Sequence, residues 1–178
     1  SMKKTIVVIL FHSFLLSEIF NVPSDEYPTI QLGIDVAQDG DTVLVAPREE
    51  PYYENLIINH SITLASYAIY DNLQDWAVYN PDNSEWQVAN DNINNTIING
   101  STATDDYGSC ILIYSQSNNC ITPKVIGFTL SNGLGTQVSR LPYIDGEDSR
   151  PQRLGGGILY DVSDPTIEYN KFIDNGSD

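Results

Sequence analysis

The chain has 178 residues, enough for one domain, and 41% of them are hydrophobic, which is enough for a buried core. Its formal net charge is −16, from 8 Lys and Arg against 24 Asp and Glu. Such a surface repels nucleic acid and anionic lipid, and both are excluded as expected partners.

The acidic residues are spread along the chain instead of forming one tail. They are interpreted either as a solubilising surface or as carboxylates that hold cations, with Ca²⁺ as the candidate ion. No compact loop has the ligand spacing of a calcium site, which favours the solubilising surface. The sequence therefore predicts no metal site.

Residues 1–21 have the pattern of a secretory signal peptide. Lys3 and Lys4 give a positive start, and the apolar run over residues 5–16 is too short to span a bilayer. The alternative is a buried strand or a membrane-anchoring helix. Ser1, ahead of the first methionine, is interpreted as a cloning remnant. We expect a secreted, periplasmic or cell-surface protein with no membrane span after signal removal.

The domain that follows is expected to cover residues 22–178 and to begin with a polar linker. Residues 28–37 are predicted to form a short amphipathic helix, because their apolar residues recur at the spacing i, i+4, i+7. Most of the chain after this helix alternates between β-prone runs and corners. The predicted strands are 42–47, 52–59, 61–66, 96–99, 110–114, 125–130, 158–162 and 166–173.

A short β-prone run closed by Asn-Gly occurs three times, at residues 95–100, 125–133 and 166–176. Because Asn and Gly both tolerate positive φ, each run is predicted to end in a corner. Repeated strands with such corners indicate a chain that coils, with one strand per side. The alternative is a β-sandwich, which also has short strands between turns. The chain stops directly after a corner, and we expect a longer coil of which these residues are the N-terminal part.

Two long insertions interrupt this rhythm, at residues 67–92 and 134–154. Long loops in a compact fold are uncommon and often functional. Cys110 and Cys120 both lie next to apolar strands, and we favour two buried thiols over a disulfide.

Residues 39–47 (DGDTVLVAP) and Tyr53–Asn55 resemble the opening of right-handed parallel β-helix proteins of the pectin-lyase-like class. The segments 127–133, 155–160 and 164–176 are similar to the repeats of exported bacterial proteins with this fold. The residues Arg48, Glu49 and Glu50 depart from the family pattern at one corner.

The resemblance implies an all-β fold, a right-handed parallel β-helix (solenoid) with a short N-terminal capping α-helix. It implies turns of about 22 residues with three strands each. It also implies ladders of stacked side chains inside the coil. Val43, Val45, Ile62, Leu64 and Ile97 are the candidates for an aliphatic ladder, and Asn99, Asn132 and Asn175 for an asparagine ladder.

The family that the chain resembles includes polysaccharide lyases, uronate epimerases and glycosidases. Asp161 and Asp164 follow one strand and are candidates for the paired carboxylates of a glycosidase. Arg153 is the candidate cation for a substrate carboxylate. With 24 acids in the chain, such a pair is also expected by chance.

Aromatic residues in the two insertions are candidates for sugar binding, because their faces stack on sugar rings. The alternative is that Trp76 and Trp86 anchor their own loop to the coil. The candidates are Tyr70, Trp76, Tyr79, Trp86 and Tyr143.

The sequence is thus interpreted as an exported or surface module without catalytic activity. It would present its loops to a polysaccharide or a surface protein. The alternative is a carbohydrate-active enzyme of the lyase, epimerase or hydrolase kind.

Overall fold

The computed structural model describes residues 17–104, 106–116, 119–138 and 152–176. Within these residues the chain is mainly β, as predicted, and short helices lie between some of the strands. The two α-helices are α1 (Ile30–Val36) and α2 (Asp91–Asn95). Three 3₁₀ segments cover Tyr67–Tyr70, Leu73–Asp75 and Gly100–Thr102.

The strands are short, between two and four residues each. In chain order they are β1 (Ile19–Val22), β2 (Thr42–Val45), β3 (Tyr52–Tyr53), β4 (Leu56–Ile58), β5 (Thr63–Ser66), β6 (Ala77–Asn80), β7 (Glu85–Val88), β8 (Ile97–Asn99), β9 (Ile111–Tyr114), β10 (Lys124–Ile126), β11 (Thr129–Ser131), β12 (Thr136–Val138), β13 (Gln152–Leu154), β14 (Ile158–Asp161), β15 (Thr166–Glu168) and β16 (Lys171–Ile173).

Most strands belong to three parallel sheets. Sheet 1 has the order β1-β2-β5-β10-β15, sheet 2 the order β16-β11-β8-β3, and sheet 3 the order β14-β9-β4. The pairs β6–β7 and β12–β13 form two separate antiparallel hairpins. From β2 onward, leaving the hairpins aside, the chain visits sheets 1, 2 and 3 in the same sequence each time. We call one such passage a circuit.

The register of sheet 1 places apolar residues of successive circuits next to each other. Val43 pairs with Leu64, Leu64 with Val125, and Val125 with Ile167. Val43, Leu64 and Val125 are fully buried. Removing such columns from water is the main favourable term in folding.

The first four candidates for the aliphatic ladder are buried. Val43 pairs with Leu64 as predicted, whereas Val45 pairs with Ser66 and Ile62 lies just before β5. Ile97 is wrong, because it lies in sheet 2 and is only partly buried. In β8 the buried position falls on the next residue, Ile98, which pairs with the buried Tyr52 and Leu130. A shift of one residue moves a side chain to the opposite face of a strand.

Helix α1 packs against β1, β2 and β4 and buries Ile30 and Ile34. The predicted helix is confirmed, with its start two residues later. The Oγ1 of the N-cap Thr29 accepts a hydrogen bond from the Leu32 amide at 3.3 Å. The Glu54 carboxylate accepts hydrogen bonds from the first two helical amides, both at 3.0 Å. A side chain from the corner between β3 and β4 thus caps the helix.

Strand β1 adds one strand to sheet 1 next to β2, with Val22 buried opposite Val45. Residues 19–21, which the sequence assigns to the end of the signal peptide, belong to this strand. Residues 1–16, and with them most of that segment, lie outside the described residues.

Asparagine side chains join neighbouring circuits, but not as a single column. Asn175 donates from Nδ2 to the Leu130 carbonyl at 2.8 Å and accepts from the Gly133 amide at 2.9 Å. Asn170 makes the same kind of bridge to Val125 and Phe128.

The prediction of an asparagine ladder was therefore wrong for two of its three residues. Asn132 is exposed and has a φ of 55° at a corner. Asn99 accepts a hydrogen bond from the nearby Ser101 amide. Two other asparagines, Asn55 and Asn170, bridge separate segments in their place.

The two cysteines are both free and lie in different surroundings. Cys110 is buried, with Sγ 3.2 Å from the Ser131 carbonyl oxygen and 3.4 Å from Asn175 Oδ1. Cys120 is exposed, so the prediction of two buried thiols is wrong for this residue. The reason is its position at a corner before β10, outside the paired strands. Burial raises the pKa of the Cys110 thiol to about 11.

The two thiols are expected to differ sharply in reactivity towards a thiol reagent such as DTNB at pH 8. One equivalent should react quickly in the native protein, and the second only after addition of denaturant, because the thiolate is the reactive form. A Cys120→Ser variant should lose the fast phase. Rapid reaction of two equivalents in the native protein would contradict this assignment.

Candidate functional site

Residues 67–92, which we call the arm, leave the body after β5 and return to it through α2. The hairpin β6–β7 forms the outer part of the arm. Its register pairs Ala77 with Val88 and Tyr79 with Trp86. Cross-strand partners lie on the same face of a two-stranded ribbon. Two apolar or aromatic pairs therefore share one face of the hairpin.

The base of the arm is fixed to the body of the protein. Trp76 packs edge-to-face on Tyr169, with ring centroids 5.8 Å apart. Asp71 accepts hydrogen bonds from the side-chain amides of Asn90 and Asn92, both at 2.8 Å. These two hydrogen bonds hold the pKa of the Asp71 carboxyl below its ordinary value. Hydrogen bonds thus join the two ends of the arm, and an aromatic contact joins the arm to the body.

The tip of the arm carries Trp86, which is the most exposed of the described aromatic candidates. The rings of Tyr79 and Trp86 lie 5.7 Å apart at an interplanar angle of 60°. They are 51% and 72% exposed, respectively. An aromatic pair supplies a large contact area with few rotatable bonds, which keeps the entropic cost of binding low. The pair is a candidate binding surface.

The two tryptophans of the arm therefore have different environments. Trp76 matches the interpretation as an anchor, whereas Trp86 does not, because most of its surface faces solvent. Tyr70 lies at the foot of the arm, is exposed and packs edge-to-face on Tyr67. Tyr143 lies outside the described residues.

The three catalytic candidates lie on two different elements. Asp161 ends β14, and Asp164 follows at the corner leading back to sheet 1, where its amide donates to the Ile121 carbonyl at 2.8 Å. Both side chains are exposed. Arg153 lies on β13 and donates from Nη1 to the Gly135 carbonyl at 2.8 Å. The two acids thus lie at one corner, whereas Arg153 lies on another element and donates a hydrogen bond to the backbone.

Acids at the turn before β2 bind backbone amides, a role that the sequence did not suggest. The Asp41 carboxylate accepts from the amides of Glu18 and Gln38, both at 2.8 Å. Asp39 accepts from the Ser61 amide at 2.7 Å. In the described ranges, no group of three or more His, Cys, Asp or Glu is arranged to hold a metal ion. Part of the acidic composition therefore stabilises corners.

No family model, curated protein or solved structure matches the chain. The part of the chain that the structure covers contains no helix long and apolar enough to cross a membrane. Its function is therefore argued from the geometry of its own residues. Of that geometry, the exposed Tyr79–Trp86 pair on a fixed arm is the feature that favours binding.

Proposed function

We propose that the chain is a right-handed parallel β-helix with α1 covering one end. Three observations support this fold. The three main sheets are parallel, successive circuits pair with each other, and buried residues such as Val43, Leu64 and Val125 align across circuits. The sandwich alternative is disfavoured, because its sheets are antiparallel.

The proposed function is that of a non-catalytic module that binds a glycan through the tip of the arm. The exposed Tyr79–Trp86 pair carries this proposal. A sugar ring presents an apolar face of C–H groups, and it is bound well by flat aromatic side chains. The fixed base of the arm means that little additional ordering is required on binding.

The proposal includes export of the protein by the signal peptide predicted from its sequence. We place the end of that signal ahead of Ile19, because β1 begins there and is paired with β2 along its length. Removal of this strand would expose the edge of β2 and the buried side chain of Val22. An exported protein meets the polysaccharides that the arm is proposed to bind.

The proposed function is tested with a Trp86→Ala variant and insoluble polysaccharides such as cellulose, chitin and xylan. The retained fraction is expected to fall about tenfold, because a central aromatic side chain often contributes more than 1 kcal/mol to binding. The melting temperature should stay close to that of the wild type, since the side chain is 72% exposed.

Trp76→Ala is the matched control. It removes an indole from the same arm but from the contact with Tyr169, and it should lower the melting temperature. Unchanged retention by Trp86→Ala on every polysaccharide that binds the wild type would contradict the proposed function. Release of shortened or unsaturated products by the wild type, and its loss in Asp161→Asn, would support the enzyme alternative instead.

A further inference from the structure

A second exposed aromatic site lies away from the arm, between the corner that joins β3 to β4 and the segment that joins β8 to β9. It is a groove of about 360 Å³ with Tyr53 and Tyr107 in its walls. These tyrosines are 52% and 46% exposed. The volume lies within the range of roughly 300–1,000 Å³ that is usual for small-molecule sites.

The floor of this groove is held by hydrogen bonds between distant parts of the chain. Asn55 donates from Nδ2 to the carbonyls of Gly100 and Ser109, both at 2.9 Å. Its Oδ1 accepts a hydrogen bond from Thr102 Oγ1 at 3.1 Å. These bonds join Gly100, Thr102 and Ser109, which flank Tyr107 in the sequence, to the corner that carries Tyr53.

Other lining groups are fixed in the same way on the helix side. Gln31 bonds to both backbone groups of Ile57, accepting from its amide at 2.8 Å and donating to its carbonyl at 3.1 Å. Glu54 accepts one helix amide on each carboxylate oxygen. Each of these oxygens has a further lone pair, which can accept a hydrogen bond from a ligand hydroxyl. The groove thus combines aromatic faces with fixed polar acceptors.

We propose that this groove binds a neutral saccharide. Tyrosine faces on the walls suit the apolar faces of sugar rings, and the acceptors on the floor suit sugar hydroxyls. An acidic saccharide is disfavoured, because the chain carries a net charge of −16 and a carboxylate lies on the groove floor. None of the residues that line the groove belongs to the arm.

The experiment measures binding of soluble neutral oligosaccharides to the full chain by calorimetry or ligand-observed NMR. The probes are cello-, xylo-, manno- and malto-oligosaccharides, with oligogalacturonate as the acidic comparison. At least one neutral probe should bind. Tyr53→Ala and Tyr107→Ala should each raise its Kd about tenfold. Tyr160→Ala is the matched control, because it removes a tyrosine of similar exposure from β14.

Binding by the wild type that is weakened in both groove variants and kept in Tyr160→Ala supports the groove. Absence of binding by every neutral probe overturns the proposal, as does a Kd equal to that of the wild type in both groove variants. Tighter binding of oligogalacturonate than of any neutral probe also overturns it. The proposed function of the arm is tested by a different measurement, the retention of Trp86→Ala on insoluble polysaccharide. Its failure can therefore be distinguished from failure of the groove proposal.

Discussion

Gly133→Ala is expected to lower the free energy of unfolding by about 3 kcal/mol, because a Cβ at this position has no room. It would overlap the carbonyl oxygen of Gly156 and lie 2.9 Å from Cys110 Sγ. The obstructing backbone is itself held, since the Gly156 carbonyl accepts a hydrogen bond from the Cys110 amide at 2.9 Å. Relief of the overlap therefore requires separation of paired segments.

Gly176→Ala is the matched control, because no described atom lies within 4 Å of a Cβ built there. Its effect should stay within about 0.5 kcal/mol. Urea unfolding followed by circular dichroism gives both values. Equal unfolding midpoints for the two variants would show that the contact between Gly133 and Gly156 is not close.

Phe128→Ala is expected to destabilise the protein by about 4 kcal/mol, since truncation of a buried Phe removes its transfer free energy and leaves a cavity. Phe128 lies at the corner that joins β10 to β11, and its side chain is completely buried. Its amide donates to Asn170 Oδ1 at 2.9 Å, and its carbonyl accepts from the Lys171 amide at 2.8 Å. These bonds join two circuits and restrict collapse of the backbone into the cavity.

Phe172→Ala provides the comparison with the same change of residue at an exposed position. Phe172 is 51% exposed, so its truncation should cost about 1 kcal/mol or less. Thermal unfolding of both variants by calorimetry measures the difference. A similar loss of stability in the two variants would contradict the burial of the Phe128 side chain in the core.

The strand-and-corner pattern could be predicted from sequence because it depends on local properties. Runs such as Ile97–Asn99 and Thr129–Ser131 are β-prone, and Gly100 and Asn132 follow them where the chain turns. The face of each strand was harder to predict. Strands of three residues such as β8 are too short for alternation to distinguish Ile97 from Ile98.

Long-range features of the fold left no signal in the sequence. The amide groups of Asn55 and Asn170 meet partners about 45 residues away, and one asparagine looks like another before the chain is folded. The pairing of β1 with β2 was also missed, because its residues continue the apolar character of the predicted signal peptide. The restriction at Gly133 depends on Gly156, which comes close only after the chain returns from an insertion.

Composition identified the arm as a candidate site but did not assign its residues. Trp76 and Trp86 occur in similar polar surroundings along the chain, and only the contact with Tyr169 separates the anchor from the exposed ring. Tyr53 and Tyr107 were not candidates at all, because they lie far apart in sequence and line one groove through the bonds of Asn55.

The arm has a further consequence for how this protein can diversify. It departs after β5 and rejoins at α2, while Leu64 in β5 still pairs directly with Val125 of the next circuit. Substitutions at the tip therefore leave the packing of the core residues unaffected. A lineage can alter what the molecule recognises, by substitution or by a change of hairpin length, and inherit the same scaffold unchanged.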